Sequence, residues 1–162
     1  MKVREKQAGL CDNICKLVIS FVAVFITAIL GNLFTRDAIK SAWYESIKPS
    51  ITPPNWMFPI VWTMLFVLIA LSLFFVWKNA KKKDYRHIFI AYGGNLILNA
   101  LWSLFYFGMR MPQLAFAEII LLWITILMMI NVAWKIDRKA AWMLVPYLLW
   151  VSFAAVLNYL SI

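Results

Sequence analysis

The chain has 162 residues, 64% of them hydrophobic and 14% charged, with a net charge of +9 and a mean hydropathy of +0.79. A soluble domain carries roughly a quarter charged residues, so this composition excludes a water-exposed globule and requires a surface that faces lipid. The basic excess does not suit nucleic acid either, because its longest run, Lys81–Lys83, is confined to a short connection.

Five apolar stretches are each long enough to cross a bilayer core of roughly 30 Å. They lie near residues 14–34, 55–77, 87–107, 113–134 and 140–160. The expected fold class is therefore all-α: one domain over 1–162, a bundle of five transmembrane helices with a structured first extracellular loop. Short connections make the last four spans antiparallel in sequence. The first span follows Lys2, Arg4 and Lys6, as a secretory leader would. Its apolar run, Leu17–Phe34, exceeds the roughly 7–15 residues of a cleavable core, so it is read as a retained helix. Ala23, Thr27 and Gly31 form a small-residue stripe at spacing four. Such a stripe serves either a homodimer or close packing within the bundle. Cys11 and Cys15 have no histidine nearby in the sequence, and neither a metal site nor a disulfide is expected of them.

Between the first two spans, Pro49, Pro53 and Pro54 fix φ and remove N–H donors, so 48–54 should be extended and stiff. The second helix then starts near Asn55, with Pro59 just inside it and able to kink it. Phe58, Trp62 and Phe66 recur every four residues and share one face. Trp43, Tyr44 and Trp56 suit an interfacial aromatic belt. Trp62 suits it less, lying roughly 10 Å below the helix start at 1.5 Å per residue.

In the third span His87 belongs to the inner interface, and Gly93–Gly94 should let a neighbouring helix approach closely. Asn95 and Asn99 share a face and either bond across helices or offer polar groups to a ligand. Glu118, in the fourth span, is the one acid well inside any span. It marks function or, protonated, bonds another helix. Pro146 should bend the fifth helix, and Trp77, Trp123 and Trp134 are assigned to lipid or interface. Counting at 1.5 Å per residue places Asn99 about 12 Å, Trp150 about 15 Å and Glu118 about 8 Å below the outer surface. With Trp62 they stand at similar heights. Phe58, Trp102, Phe153 and Ala154 are close by. Aromatic walls with a few polar groups are what a flat apolar ligand requires.

Twelve Lys and Arg fall at the N-terminus and in the second and fourth loops, against four on the other side. The positive-inside rule then predicts a cytoplasmic N-terminus and an external C-terminus in a cell membrane, with inner-leaflet anionic lipid as a contact. No nucleophile–base pair, phosphate loop or paired carboxylates appear, so no conventional enzyme is expected and no cofactor is required. Acid groups on a ligand could meet Arg36, Lys40, Lys48 or Arg110 at the outer rim.

Trp43-Tyr44, Lys48-Pro49, Pro53-Pro54, Phe58 and Trp62, with "YGGNLILNALWSLFYFG" (92–108) and "PYLLWVSFAAVLNY" (146–159), resemble the TspO/MBR family of tryptophan-rich sensory and translocator proteins. The resemblance runs unbroken from about Trp43 to Tyr159. It implies a five-helix bundle, often a homodimer, whose pocket is closed by the first loop. It further implies binding of porphyrins and haem-related tetrapyrroles, with sterols and aromatic drugs as other family ligands. Transport, stress signalling and light-dependent porphyrin breakdown are attributed to members. By motif position the ligand-binding residues would be Tyr44, Pro53, Phe58, Trp62, Phe66, Asn99, Trp102, Trp150, Ala154 and Leu157. Trp62 and Trp150 would be the pair associated with breakdown, where an indole can donate an electron to a photoexcited macrocycle. Three departures stand out. Only three residues separate Trp43-Tyr44 from Lys48-Pro49, where some relatives have four. Asn95 and Glu118 occupy positions often held by Gln and Asp. No Arg or Lys follows Tyr159, so the sterol pattern is incomplete and sterol binding is not predicted.

Overall fold

A computed structural model describes residues 2–162, with side chains from residue 9 onward. Lys2, Arg4 and Lys6, part of the charge asymmetry, fall outside the described side chains. The described residues form helices and no strands: α1 (Lys2–Ala38), α2 (Ala42–Ile47), α3 (Met57–Asn79), α4 (Lys82–Gly108), α5 (Pro112–Ile136) and α6 (Arg138–Tyr159). All but α2 are long and apolar enough to cross a membrane.

The helix ends follow local chemistry. Ser41 starts α2 by accepting a hydrogen bond from the Tyr44 N–H at 3.2 Å, while its own hydroxyl donates to the Ala38 carbonyl at 2.6 Å. The proline segment is less extended than its composition suggests. It folds into two turns, closed by Thr52 N–H to Pro49 C=O at 3.0 Å and Met57 N–H to Pro54 C=O at 2.9 Å. Pro59 is the third residue of α3, where the missing N–H has no intrahelical acceptor to lose. It therefore need not kink the helix. Pro112 opens α5 in the same way. Asp137 caps α6 by accepting from the Lys139 N–H at 2.8 Å, and its other oxygen accepts from Asn79 Nδ2 at 2.8 Å, tying α6 to the end of α3.

Two helices are irregular inside. α4 runs as a π-helix over Phe89–Gly93 and again over Leu104–Gly108. The first π segment corrects the expectation for Gly93–Gly94. A Cβ built on either glycine meets nothing within 4 Å, so the pair marks the return from π to α geometry rather than a close helix contact. α6 is interrupted at Leu144 and restarts at Val145 with Pro146 in its first turn. This is the interruption that the proline demands.

Around the bundle α1 packs on α3 and α4, α4 on α5, α5 on α6, and the start of α6 on α3. The helices α3 and α4, consecutive in the chain, touch chiefly beside their connection because α1 comes between them. Thr27 and Gly31 of the stripe are buried. A Cβ on Gly31 would stand 3.1 Å from Ser103 Oγ of α4, so the stripe serves packing inside the bundle. The half of the bundle that carries Lys78, Lys81–Lys83 and Arg138 is filled with aliphatic side chains, among them Ile69, Val76, Ile126, Met129 and Leu144. The other half, under α2, is aromatic and incompletely filled.

Candidate functional site

A cavity of about 400 Å³ opens in that second half. Its wall takes side chains from α1, α2, the start of α3, the end of α4, the middle of α5 and the second part of α6. Eight of the ten sequence-derived site residues border it: Tyr44, Phe58, Trp62, Phe66, Asn99, Trp102, Trp150 and Ala154. Pro53 stands off the wall in the connector, two residues before Asn55, which does reach it. Leu157 is buried one turn beyond Ala154 without bordering the space.

The rings that form the wall are held edge to face rather than left free. Phe58 meets Trp150 with centroids 5.8 Å apart and planes at 68°, joining α3 to α6. Trp62 meets Tyr147 at 6.2 Å and 66° and leans on Phe66 at 5.3 Å. Trp102 meets Phe107 at 5.8 Å and 90°, and Phe107 in turn meets Tyr44 of α2 at 5.7 Å. Edge-to-face pairing is a favourable geometry for aromatic quadrupoles, so these contacts fix the wall without filling the space.

Polar side chains behind the rings are joined across helices. Asn99 Nδ2 donates to the Tyr147 hydroxyl at 3.0 Å, which donates to Asn95 Oδ1 at 3.1 Å. Asn95 Nδ2 continues to Thr125 Oγ1 at 2.9 Å, whose hydroxyl ends the chain on the Leu122 carbonyl at 2.6 Å. Both asparagines are thus interhelical ties, and Asn99 also borders the cavity. A second tie runs from Trp102 Nε1 to Asn158 Oδ1 at 3.1 Å, with Asn158 Nδ2 donating to the Pro112 carbonyl at 2.9 Å. Trp123, expected at lipid, donates to Ser152 Oγ at 2.8 Å and links α5 to α6.

Three groups stand apart from these networks. Glu118 is buried and, among the described residues, neither carboxyl oxygen has a hydrogen-bond partner, so it makes no bond to another helix there; nor does it border the cavity. The Trp150 indole N–H is buried and unpartnered too. Tyr44, which suits an interfacial belt by residue type but a pocket wall by the family resemblance, is 6% exposed and borders the cavity. Burial pushes its hydroxyl up to about 12, with smaller contributions from Tyr106 and Glu45. Trp56 does fit a belt, at 65% exposed.

The four rim cations separate. Lys48 Nζ sits 3.0 Å from both Glu45 oxygens. Arg110 lies over the Trp43 ring at 5.7 Å. Arg36 borders the cavity; Lys40, Lys48 and Arg110 do not. Sequence reading missed the contribution of α1, from Phe25 to Arg36, and of Ile39 just past its end, because α1 shares little of the family motif. The signal was present in Thr27, Gly31 and Thr35, which continue the stripe on the face turned into the bundle.

Comparison with known proteins agrees with this architecture. The TspO/MBR family profile matches residues 19–161. The chain is similar to a "Tryptophan-rich protein TspO" of Archaeoglobus fulgidus, 38% identical over 91% of this chain and 95% of the relative. A protein of the same description from Chlorobaculum tepidum is 36% identical over 93% and 90%. A "Translocator protein" of Ovis aries is 33% identical over 72% and 71%. With five membrane-length helices and a profile match across nearly its whole length, the chain belongs to the TspO/MBR family of integral membrane proteins.

Proposed function

We propose that the protein binds porphyrins and related flat hydrophobic ligands in the aromatic cavity, in the outer half of a cell membrane. The observation that carries this reading is the wall of Phe58, Trp62, Trp102 and Trp150 around about 400 Å³ of space. That volume falls within the roughly 300–1,000 Å³ of small-molecule sites. Ring faces and edges offer stacking area to a macrocycle or an aromatic drug, and no metal or cofactor is required. The orientation we infer follows the positive-inside rule. The Asn79–Asp137 hydrogen bond joins the two most basic connections at one end of the bundle, and that end is taken as cytoplasmic.

The test is a titration of protoporphyrin into protein in nanodiscs, followed by porphyrin absorbance. Saturable binding that weakens in Trp62→Ala and Trp150→Ala supports the reading. Titrations unchanged by either substitution remove its basis.

A second reading is light-dependent porphyrin breakdown, favoured by the position of both Trp62 and Trp150 on the cavity wall. Illumination should then yield a product whose formation requires one of these indoles. Bleaching at the rate of free porphyrin would exclude it.

A further inference from the structure

The cavity has one polar corner. Where the end of α1 meets the start of α3, Asn32, Thr35, Arg36 and Asn55 replace the rings that form the rest of the wall. Asn32 and Arg36 are four residues apart and so lie on one face of α1. Among the described residues that border the space, Arg36 alone carries a formal charge. Its partner is the adjacent Asp37, with Nε to Oδ2 at 3.3 Å and side chains 62% and 81% exposed. Neighbouring residues on a helix do not face each other, and an exposed pair of this kind contributes about 0–1 kcal/mol. Arg36 is therefore available to a better acceptor, whereas Lys48 is held by Glu45 and Arg110 covers Trp43.

We propose that Arg36 is the acid-recognising residue of the cavity and selects ligands that carry a carboxylate on a flat apolar body. A guanidinium presents parallel N–H donors that match the two oxygens of a carboxylate, and the neighbouring amides of Asn32 and Asn55 add neutral donors. The rings hold the body of the ligand while the corner fixes which edge points toward the end of α1. Cationic ligands of the same shape are disfavoured. This inference rests on the cavity being the ligand site.

Protoporphyrin and its dimethyl ester, titrated into protein in nanodiscs of zwitterionic lipid, provide the test. Partition into the disc is common to all variants, so comparison across variants isolates the protein contribution. Arg36→Gln should weaken binding of the free acid roughly tenfold, a change of about 1.4 kcal/mol, and leave the ester unchanged. Arg36→Lys should recover part of the loss, and Lys40→Gln should have no effect. Equal binding of acid and ester, or an equal response of both to Arg36→Gln, refutes the acid anchor while leaving the cavity reading intact. Equal losses from Lys40→Gln and Arg36→Gln refute it as well, since the effect would then be one of net charge. Binding of neither ligand by the wild type refutes the cavity reading and this inference together.

Discussion

Trp62 and Tyr147 meet edge to face with centroids 6.2 Å apart, and the Tyr147 hydroxyl behind that contact is held between Asn99 and Asn95. One tyrosine thus joins the cavity wall to the polar chain that ties α4, α5 and α6. Tyr147→Phe keeps the ring and removes the hydroxyl. It strands Asn99 Nδ2 and Asn95 Oδ1 in a buried site, where each unsatisfied group costs roughly 1–3 kcal/mol. Thermal unfolding in detergent should show a clear drop. An unchanged midpoint would mean that the chain adds nothing to stability.

Trp150 presents the opposite case, since its indole N–H has no partner to lose. Trp150→Phe retains an aromatic ring against Phe58, a contact worth about 0.5–1.5 kcal/mol beyond buried area. It should keep most of the porphyrin affinity, while Trp150→Ala should not. If breakdown occurs, the phenyl variant should bind and yet lose the reaction, because phenyl donates electrons far less readily than indole. Binding and product formation, measured on the same samples, separate the two roles.

Glu118 makes no hydrogen bond that would offset its burial. Glu118→Leu, similar in size, removes two unsatisfied acceptors and should raise stability by an amount on the order of 1–3 kcal/mol, read as a higher unfolding midpoint. A fall in stability would show that the carboxyl has a partner in the membrane, such as a water or a bound ligand.

Tyr44 gives a pH dependence whose sign is fixed. Its pKa rises from 10.0 to about 12 because the buried hydroxyl resists ionisation. The stability it contributes is complete below pH 10 and is lost as pH rises toward 12. Across that window the wild-type melting temperature should fall relative to that of Tyr44→Phe, which has no phenol to ionise. Parallel curves would show that Tyr44 ionises as it would in water.

Much of this architecture was legible because membrane helices state themselves in length and apolar content. The face of α3 that borders the cavity was readable from Phe58, Trp62 and Phe66 at spacing four, and residue counting brought Trp62, Asn99 and Trp150 to one height. Counting gives depth but not direction, which is why Glu118 was grouped with them although it stands off the cavity. The same limit hid Tyr147. It lies one turn before Trp150, yet only the folded structure reveals the Asn95 and Asn99 amides on either side of its hydroxyl. The role of α1 depended on its insertion between α3 and α4, which connection lengths do not encode. The double glycine misled because its geometric role is internal to α4.

Filling the cavity tests most directly whether it is the ligand site. Ala154 borders the space between Trp150 and the end of α6, so Ala154→Phe should place a phenyl ring in the void with little change in unfolding temperature. Protoporphyrin titrated into this variant should show no saturable binding, whereas the account predicts that the wild type saturates at one site per chain. Wild-type affinity in a folded Ala154→Phe protein would mean that the ligand sits elsewhere.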